Sequence, residues 1–222
     1  MNVAAWALAF LPVLAFGAPA SADDAWEILA EIRPDRPLRV GDVPLHPAPG
    51  GLALAVSGGR WQLVPATLES TIQSVYDDGQ PQTVTFTATP ANARIYLRLP
   101  GLHPGRVDTP HVRFEGALRD LRARTTPLPF KSRPWRFETR GHAIWFTDGQ
   151  RRQKIDDLAT LDDPAYPVGF GLAWAGDLDR DGRLDFVTTL AGGDGSTTCV
   201  WLSSKARVGE LVSQAACVDR LF

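Results

Sequence analysis

The sequence predicts a mainly β protein, with an antiparallel sandwich or barrel-like N-terminal part and a C-terminal region of β-hairpins. Turn signals built from Gly, Pro and Asp-Gly recur about every 8 to 12 residues along the chain. Between these signals, apolar and polar side chains alternate, as in residues 82–88 and 94–99. Past the N-terminus no long helical pattern interrupts this series. Together these observations favour sheets with one buried face.

The first 22 residues predict an export signal. Residues 3–16 are apolar and carry no charge, and Ala-Ser-Ala at 20–22 forms a cleavage site of small residues before Asp23. Residues 18–20 are a second candidate. A membrane anchor is the alternative, but the run is shorter than the ~20 residues that a spanning helix needs. We expect a signal peptide over 1–22, a periplasmic or secreted mature protein, and no membrane span after its removal.

Residues 23–50 are predicted to hold one short helix and an irregular segment. Trp26 and Leu29 share one face of residues 24–32, an aspartate precedes them as a cap, and Pro34 ends the pattern. Prolines and glycines then recur up to residue 50, which predicts no regular structure there.

A β-sandwich-like domain is predicted over residues 51–125. Its strands are expected at 52–56, 60–64, 67–76, 82–88, 94–99 and 111–115. Ser-Gly-Gly at 57–59 is typical of a tight hairpin turn.

A second β domain is predicted over residues 126–222, after a segment rich in proline. Its strands are expected at 135–139, 142–147, 150–155, 170–174, 184–190, 197–202 and 210–218. Asp148-Gly149 marks a hairpin turn, and the alternation of 170–174 indicates one buried face. The acidic loop described next occurs once, so a full β-propeller is excluded.

The densest chemical pattern is the acidic loop, residues 177–185, which reads Asp-Leu-Asp-Arg-Asp-Gly-Arg-Leu-Asp. Acids at alternate positions can face one centre, and Gly182 permits the bend that returns the chain. The predicted ligands are the carboxylates of Asp177, Asp179, Asp181 and Asp185 and the backbone carbonyl of Arg183. With water, these oxygens suit Ca²⁺ better than Mg²⁺. An EF-hand is excluded because Thr188 stands where its bidentate Glu belongs. An acidic surface turn without metal is the alternative.

Predicted strands flank the acidic loop on both sides, which distinguishes it further from helix–loop–helix sites. Residues 175–186 resemble the calcium loops of FG-GAP/VCBS-type repeats, which occur in integrin alpha-subunit propellers and in many bacterial surface proteins. The resemblance extends over about residues 168–218. Family loops usually carry a small residue or Gly where this chain has Arg180. The resemblance implies a structural calcium ion and a role in surface recognition or adhesion.

The chain has two cysteines, Cys199 and Cys217. In an oxidising compartment a single disulfide is expected, which would stabilise the fold by ~3 kcal/mol in the chain-entropy model. Two buried free thiols are the alternative.

Charge is distributed unevenly, although the net charge is only -2. Residues 94–140 contain eleven Lys or Arg and four acids, whereas residues 156–185 contain eight acids and two Arg. The basic stretch could bind an anionic polymer, but its arginines alternate with apolar residues such as Ile95 and Leu97. Solvated strand faces are therefore the preferred interpretation.

No catalytic motif emerges from the sequence. The histidines at 46, 103, 111 and 142 show no metal-binding spacing, and most tryptophans lie in predicted strands, where core packing is expected. The leading hypothesis is an exported, non-enzymatic calcium-binding protein that acts in binding or envelope organisation, with a protein or glycan partner and no nucleic acid. The alternative is a periplasmic or secreted hydrolase of envelope polymers with a calcium-stabilised domain.

Overall fold

A computed structural model describes residues 28–30, 38–40, 50–110, 119–120, 125–158, 169–192 and 195–221. The predicted signal peptide and its cleavage sites lie outside these residues, as do His46 and His111. Strands make up 65% of the structure and helix 1%, which confirms the mainly β class. Among the described residues no helix is both long and apolar enough to cross a membrane.

The predicted helix over 24–32 is wrong where the structure describes it. Ile28–Ala30 is a short strand, β1, which pairs antiparallel with β6 (Ala93–Leu97). A helix of nine residues has little stability of its own in water. The edge of β6 offers unpaired backbone groups, and an apolar segment that pairs there satisfies them. Tertiary pairing thus overrides the local helical pattern.

The first sheet has the order β1-β6-β3-β4-β5-β2, and β7 pairs with β4. Its remaining strands are β2 (Leu38–Arg39), β3 (Gly51–Ser57), β4 (Arg60–Val75), β5 (Pro81–Thr89) and β7 (Gly105–Arg106). Strand β4 pairs with β3 up to Ala66 and with β5 from Thr67 onward, and the sheet curls into a half-barrel.

Two strands predicted at 60–64 and 67–76 are therefore one continuous strand of 16 residues. Pro65 lies between the two predicted segments, and proline lacks a backbone donor. It pairs with Leu52 of β3, two residues before β4 changes partner at Thr67, so it lies close to the end of the ladder with β3.

The second sheet has the order β12-β11-β10-β9. Its strands are β9 (Thr125–Pro127), β10 (Arg136–Arg140), β11 (Ala143–Thr147) and β12 (Arg152–Asp157). The predicted hairpin across Asp148-Gly149 is confirmed. The Asp148 carboxylate accepts the backbone N–H groups of Gln150 and Arg151 at 3.0 and 2.7 Å, which fixes the turn.

The third sheet has the order β16-β15-β14-β13-β8. Its strands are β8 (Arg119–Asp120), β13 (Gly169–Gly176), β14 (Asp185–Gly192), β15 (Gly195–Leu202) and β16 (Ser213–Leu221). The predicted pair Cys199 and Cys217 lies on neighbouring strands at directly opposed positions, with the sulfurs at disulfide distance and the Cα atoms 4.1 Å apart.

This third sheet is the middle layer of the fold. Phe170 and Phe186 pack against the second sheet, whereas Trp174 and Val187 pack into a core shared with the first sheet. A register shift between Leu172 and Trp174 changes the face to which β13 directs its side chains. The expectation of one buried face for this strand is therefore wrong, because sheets cover it on both sides. The predicted domain boundaries stay a prediction.

Candidate metal centre

The acidic loop joins β13 to β14, so the predicted strand–loop–strand context is confirmed. The two strands separate at the pair Gly176 and Asp185, which places the first and last acids of the loop at the mouth of one hairpin. Gly182 has a φ of +85°, the left-handed conformation that brings the chain back.

Three of the four predicted carboxylates converge. One oxygen each of Asp177, Asp179 and Asp185 lies within 4.8 Å of the others. Asp177 is 5% exposed and Asp185 is fully buried. Buried carboxylates at this spacing repel one another unless a positive charge lies among them. The cluster can hold a metal ion, and because its donors are carboxylate oxygens it suits a hard cation.

Asp185 is held by backbone donors from two segments. Its Oδ2 accepts the N–H of Leu178 at 2.7 Å, and its Oδ1 accepts the N–H of Ser203 at 2.7 Å. Burial, together with the negative charge of Asp179, raises the pKa of Asp185 to about 8. These hydrogen bonds orient the carboxylate but do not offset its desolvation, so this group gains most from a nearby cation.

Asp177 is held by the loop and by a distant lysine. Both of its oxygens accept the N–H of Gly182, at 3.2 and 3.0 Å, and its Oδ2 accepts Lys131 Nζ at 2.9 Å. Burial raises the pKa of this carboxyl group, while the Lys131 ammonium acts in the opposite direction. The positively charged side chain of Lys131 therefore forms a salt bridge with Asp177.

Asp181 and Arg183 lie outside the group of three and brace it. Asp181 Oδ2 accepts Arg183 Nε at 2.9 Å and Ser203 Oγ at 2.8 Å, and Arg183 Nη2 donates to the Ser203 carbonyl at 2.9 Å. The arginine and the buried serine thus tie the turn of the loop to the end of β15. Coordination by Asp181 and by the Arg183 carbonyl stays a prediction.

Residues remote in sequence complete the surroundings of the cluster. Ser204 Oγ forms a hydrogen bond with Asp179 Oδ2, and the Asp177 N–H donates to the Asp108 carbonyl at 2.8 Å. Ser203 and Ser204 lie within the range of the FG-GAP/VCBS resemblance, but no motif in the sequence marks them as partners of the acids. Lys131 and Asp108 gave no sequence signal, because their segments reach the loop only through packing of the sheets.

Arg180 fastens the outer side of the acidic loop. It adopts a φ of +64°, which is unfavourable for a side chain with a Cβ, and its Nη2 donates to the His103 carbonyl at 2.8 Å. Gly105 has a φ of +135°, which favours glycine, and a Cβ there would lie 2.6 Å from this guanidinium. Leu178, two residues before Arg180 in the same loop, shares a core with Leu102. The loop is therefore docked on the segment that follows β6.

The tryptophans and histidines that were candidate functional residues and that the structure describes lie outside the acidic cluster, and most of these tryptophans pack in the core or at its edge. Trp135 and Trp174 are buried, whereas Trp61, Trp145 and Trp201 are half-buried. The Trp174 ring packs edge-on against Trp61, with their centroids 6.3 Å apart. His103 and His142 are exposed, and neither belongs to the acidic cluster.

An open groove of about 510 Å³ lies beside β16, lined in part by Trp201, Lys205 and Glu210. Glu210 accepts Ser213 Oγ at 2.6 Å and the Arg207 N–H at 3.0 Å. The Glu210 carboxylate therefore stabilises the loop before β16, and its hydrogen bonds indicate a structural role.

Comparison of the chain with protein-family models, with curated proteins and with solved structures found no match.

Proposed function

We propose that this chain is an exported, non-enzymatic calcium-binding β protein whose ion is structural, and that it acts in binding at the cell envelope or surface. The observation that carries the proposal is the convergence of Asp177, Asp179 and Asp185 within 4.8 Å, with two of the three buried. A calcium ion among them would offset the desolvation that raises the pKa of Asp185.

A structural role for the ion is favoured by where the loop lies. The loop contacts the Asp108 carbonyl on one side and Ser203 and Ser204 on another. An ion held there would connect β13, β14 and the end of β15 with the segment after β6. Buried ligands braced by hydrogen bonds also leave little room for a reacting group, which favours stabilisation over catalysis.

Calcium is favoured over magnesium by the nature of the donors. Calcium takes about six to eight oxygens in irregular geometry, whereas magnesium demands a small octahedron and retains its waters. The loop provides carboxylates, and its spacing predicts a further oxygen from the Arg183 carbonyl, in agreement with the resemblance to FG-GAP/VCBS calcium loops. The left-handed φ of Arg180 supports that resemblance, because it occurs where family loops usually carry Gly or a small residue.

Export would make such a site useful. Calcium outside the cytoplasm is abundant enough to keep a modest site filled, and an oxidising compartment agrees with the cysteine pair at disulfide distance. N-terminal sequencing of protein recovered from the periplasm or medium tests export directly. A chain beginning at Asp23 is the expected result, and an intact Met1 in the membrane fraction would contradict it.

Calcium binding is tested by melting the protein in Ca²⁺, in Mg²⁺ and in EGTA. A ligand that binds only the folded state raises the midpoint, by an amount that grows with its concentration. We expect a rise with Ca²⁺ that Asp179→Ala removes. Asp219→Ala is the matched control, because Asp219 is an exposed acid of β16 bonded to Thr197. Equal midpoints in Ca²⁺ and EGTA would contradict the proposal, as would a calorimetric titration without heat.

A further inference from the structure

Lys131 reaches the acidic loop from a turn whose position is fixed by the core. Its neighbour Phe130 is 3% exposed and belongs to the core between the second and third sheets. The Arg133 N–H donates to the Phe130 carbonyl at 3.2 Å and closes the turn. Lys131 itself adopts a φ of +52°, a conformation that side chains other than Gly rarely take. The turn therefore presents this lysine in a defined direction.

The ammonium of Lys131 lies at the rim of the carboxylate cluster. Its Nζ is 2.9 Å from Asp177 Oδ2, and a Cβ added at Gly182 would be 3.5 Å from it. The lysine side chain is 43% exposed, while that of Asp177 is 6% exposed. The contact thus joins a partly solvated cation to a nearly buried carboxylate that belongs to the group of three.

The charges around the cluster match a divalent ion once Lys131 is included. Three carboxylates contribute three negative charges and the ammonium contributes one positive charge, which leaves a net charge of −2. The fourth acid, Asp181, is paired with Arg183 at 2.8 Å and adds no net charge. Without Lys131 the three carboxylates would carry a net charge of −3, which a trivalent ion neutralises.

We propose that Lys131 determines the charge selectivity of the metal site, favouring divalent over trivalent cations and limiting the affinity for both. This inference rests on the proposed calcium function. The ammonium repels a bound cation in proportion to the cation's charge. The repulsion energy is therefore about 1.5 times larger for a trivalent ion than for a divalent ion.

The test compares Lys131→Met with the unaltered protein in calorimetric titrations with Ca²⁺ and with La³⁺. We expect calcium to bind about tenfold more tightly to the variant and lanthanum about thirtyfold more tightly. The ratio of the two dissociation constants should therefore shift by about threefold toward lanthanum. Lys154→Met is the matched control, since it removes the same charge from β12, where Lys154 contacts Asp157 at 2.5 Å. It should leave both affinities unchanged.

Two further variants keep the result interpretable. Lys131→Gln is neutral but retains a donor for Asp177, and it replaces the Met variant if that protein is misfolded by circular dichroism. Lys131→Arg retains the charge and should retain the original ratio. Neutral variants with the affinities of the unaltered protein, or a shift equal to that of Lys154→Met, would overturn the inference. Failure of the unaltered protein to bind calcium would instead overturn the proposed function.

Discussion

The backbone N–H of Ser203 donates a 2.7 Å hydrogen bond to Oδ1 of Asp185, across 18 residues of sequence. Asp185 begins β14, and Ser203 follows directly after β15, the strand with which β14 pairs. Both residues are fully buried. The last acid of the acidic loop is therefore oriented by the end of the neighbouring strand and not by the loop alone.

The metal-free protein should lose stability as the pH rises from about 4 toward 8. A carboxyl group whose pKa is raised on folding stabilises the fold fully below its unfolded pKa, and that contribution is lost as the pH rises through the folded value. For Asp185 the folded value is about 8 and the reference value is 3.8. Urea unfolding of resin-stripped protein at pH 5, 6, 7 and 8 should show a decline on the order of 1 kcal/mol or more.

Asp185→Asn is the matched variant for this pH series. It removes the titrating group and keeps a carbonyl acceptor for one of the two backbone donors, those of Leu178 and Ser203. The metal-free variant should therefore show a flatter profile, whatever its overall stability. Carboxyl groups with a lowered pKa, such as Glu138 beside Arg136, lose their contribution to stability only at lower pH. They therefore do not change the slope between pH 5 and pH 8. A variant profile parallel to that of the unaltered protein would contradict the assignment to Asp185. Saturating calcium should also flatten the profile of the unaltered protein.

Ser203→Ala should weaken the brace between β15 and the acidic loop. The hydroxyl donates to Asp181 Oδ2 at 2.8 Å, and its loss leaves a partly exposed acceptor with one partner fewer. The expected cost is about 1 kcal/mol of unfolding free energy, with a loss of calcium affinity of less than tenfold, since the backbone bond to Asp185 remains. Denaturant unfolding and calorimetry measure the two effects. Ser57→Ala, at an exposed strand end, should be neutral in both.

Substitutions at Arg180 should separate backbone strain from the contact with His103. Arg180→Gly adopts the φ of +64° freely but loses the hydrogen bond, whereas Arg180→Ala loses the bond and keeps the strain. We expect the Gly variant to be more stable than the Ala variant by about 1 kcal/mol, against the usual order of these residues. Denaturant unfolding measures the difference. The opposite order would show that the loop does not need a left-handed residue there.

Reduction of the bridge between Cys199 and Cys217 should destabilise the third sheet. The bridge joins β15 to β16, an edge strand, and closes a loop with a sequence separation of 18. The loss of unfolding free energy should be about 2 to 4 kcal/mol, and larger in EGTA than in calcium, because a bound calcium ion would restrain the same sheet. Mass spectrometry of the unreduced protein checks the bridge. Two alkylatable thiols would disprove it, and equal losses with and without calcium would disprove the coupling.

Sequence patterns predicted most of the strands, and they failed where a distant segment decided the outcome. The hairpin at Asp148-Gly149 was predicted because its turn chemistry lies within the hairpin itself. The strand Ile28–Ala30 was predicted as helix because its partner, β6, lies more than sixty residues later. Strand β4 passes through Pro65 for a similar reason, since its change of partner depends on how the first sheet curls.

The sequence by itself determined the chemistry of the site. Acids at alternate positions, a glycine at the bend and a strand on either side are local properties, because a short loop has few conformations that satisfy its own backbone. Tertiary structure alone decided which acids converge, how deeply Asp185 is buried and that Lys131 meets Asp177 across 46 residues. Those features depend on the packing of three sheets. The periodicity of any one segment encodes which face is apolar, but not which partner covers it.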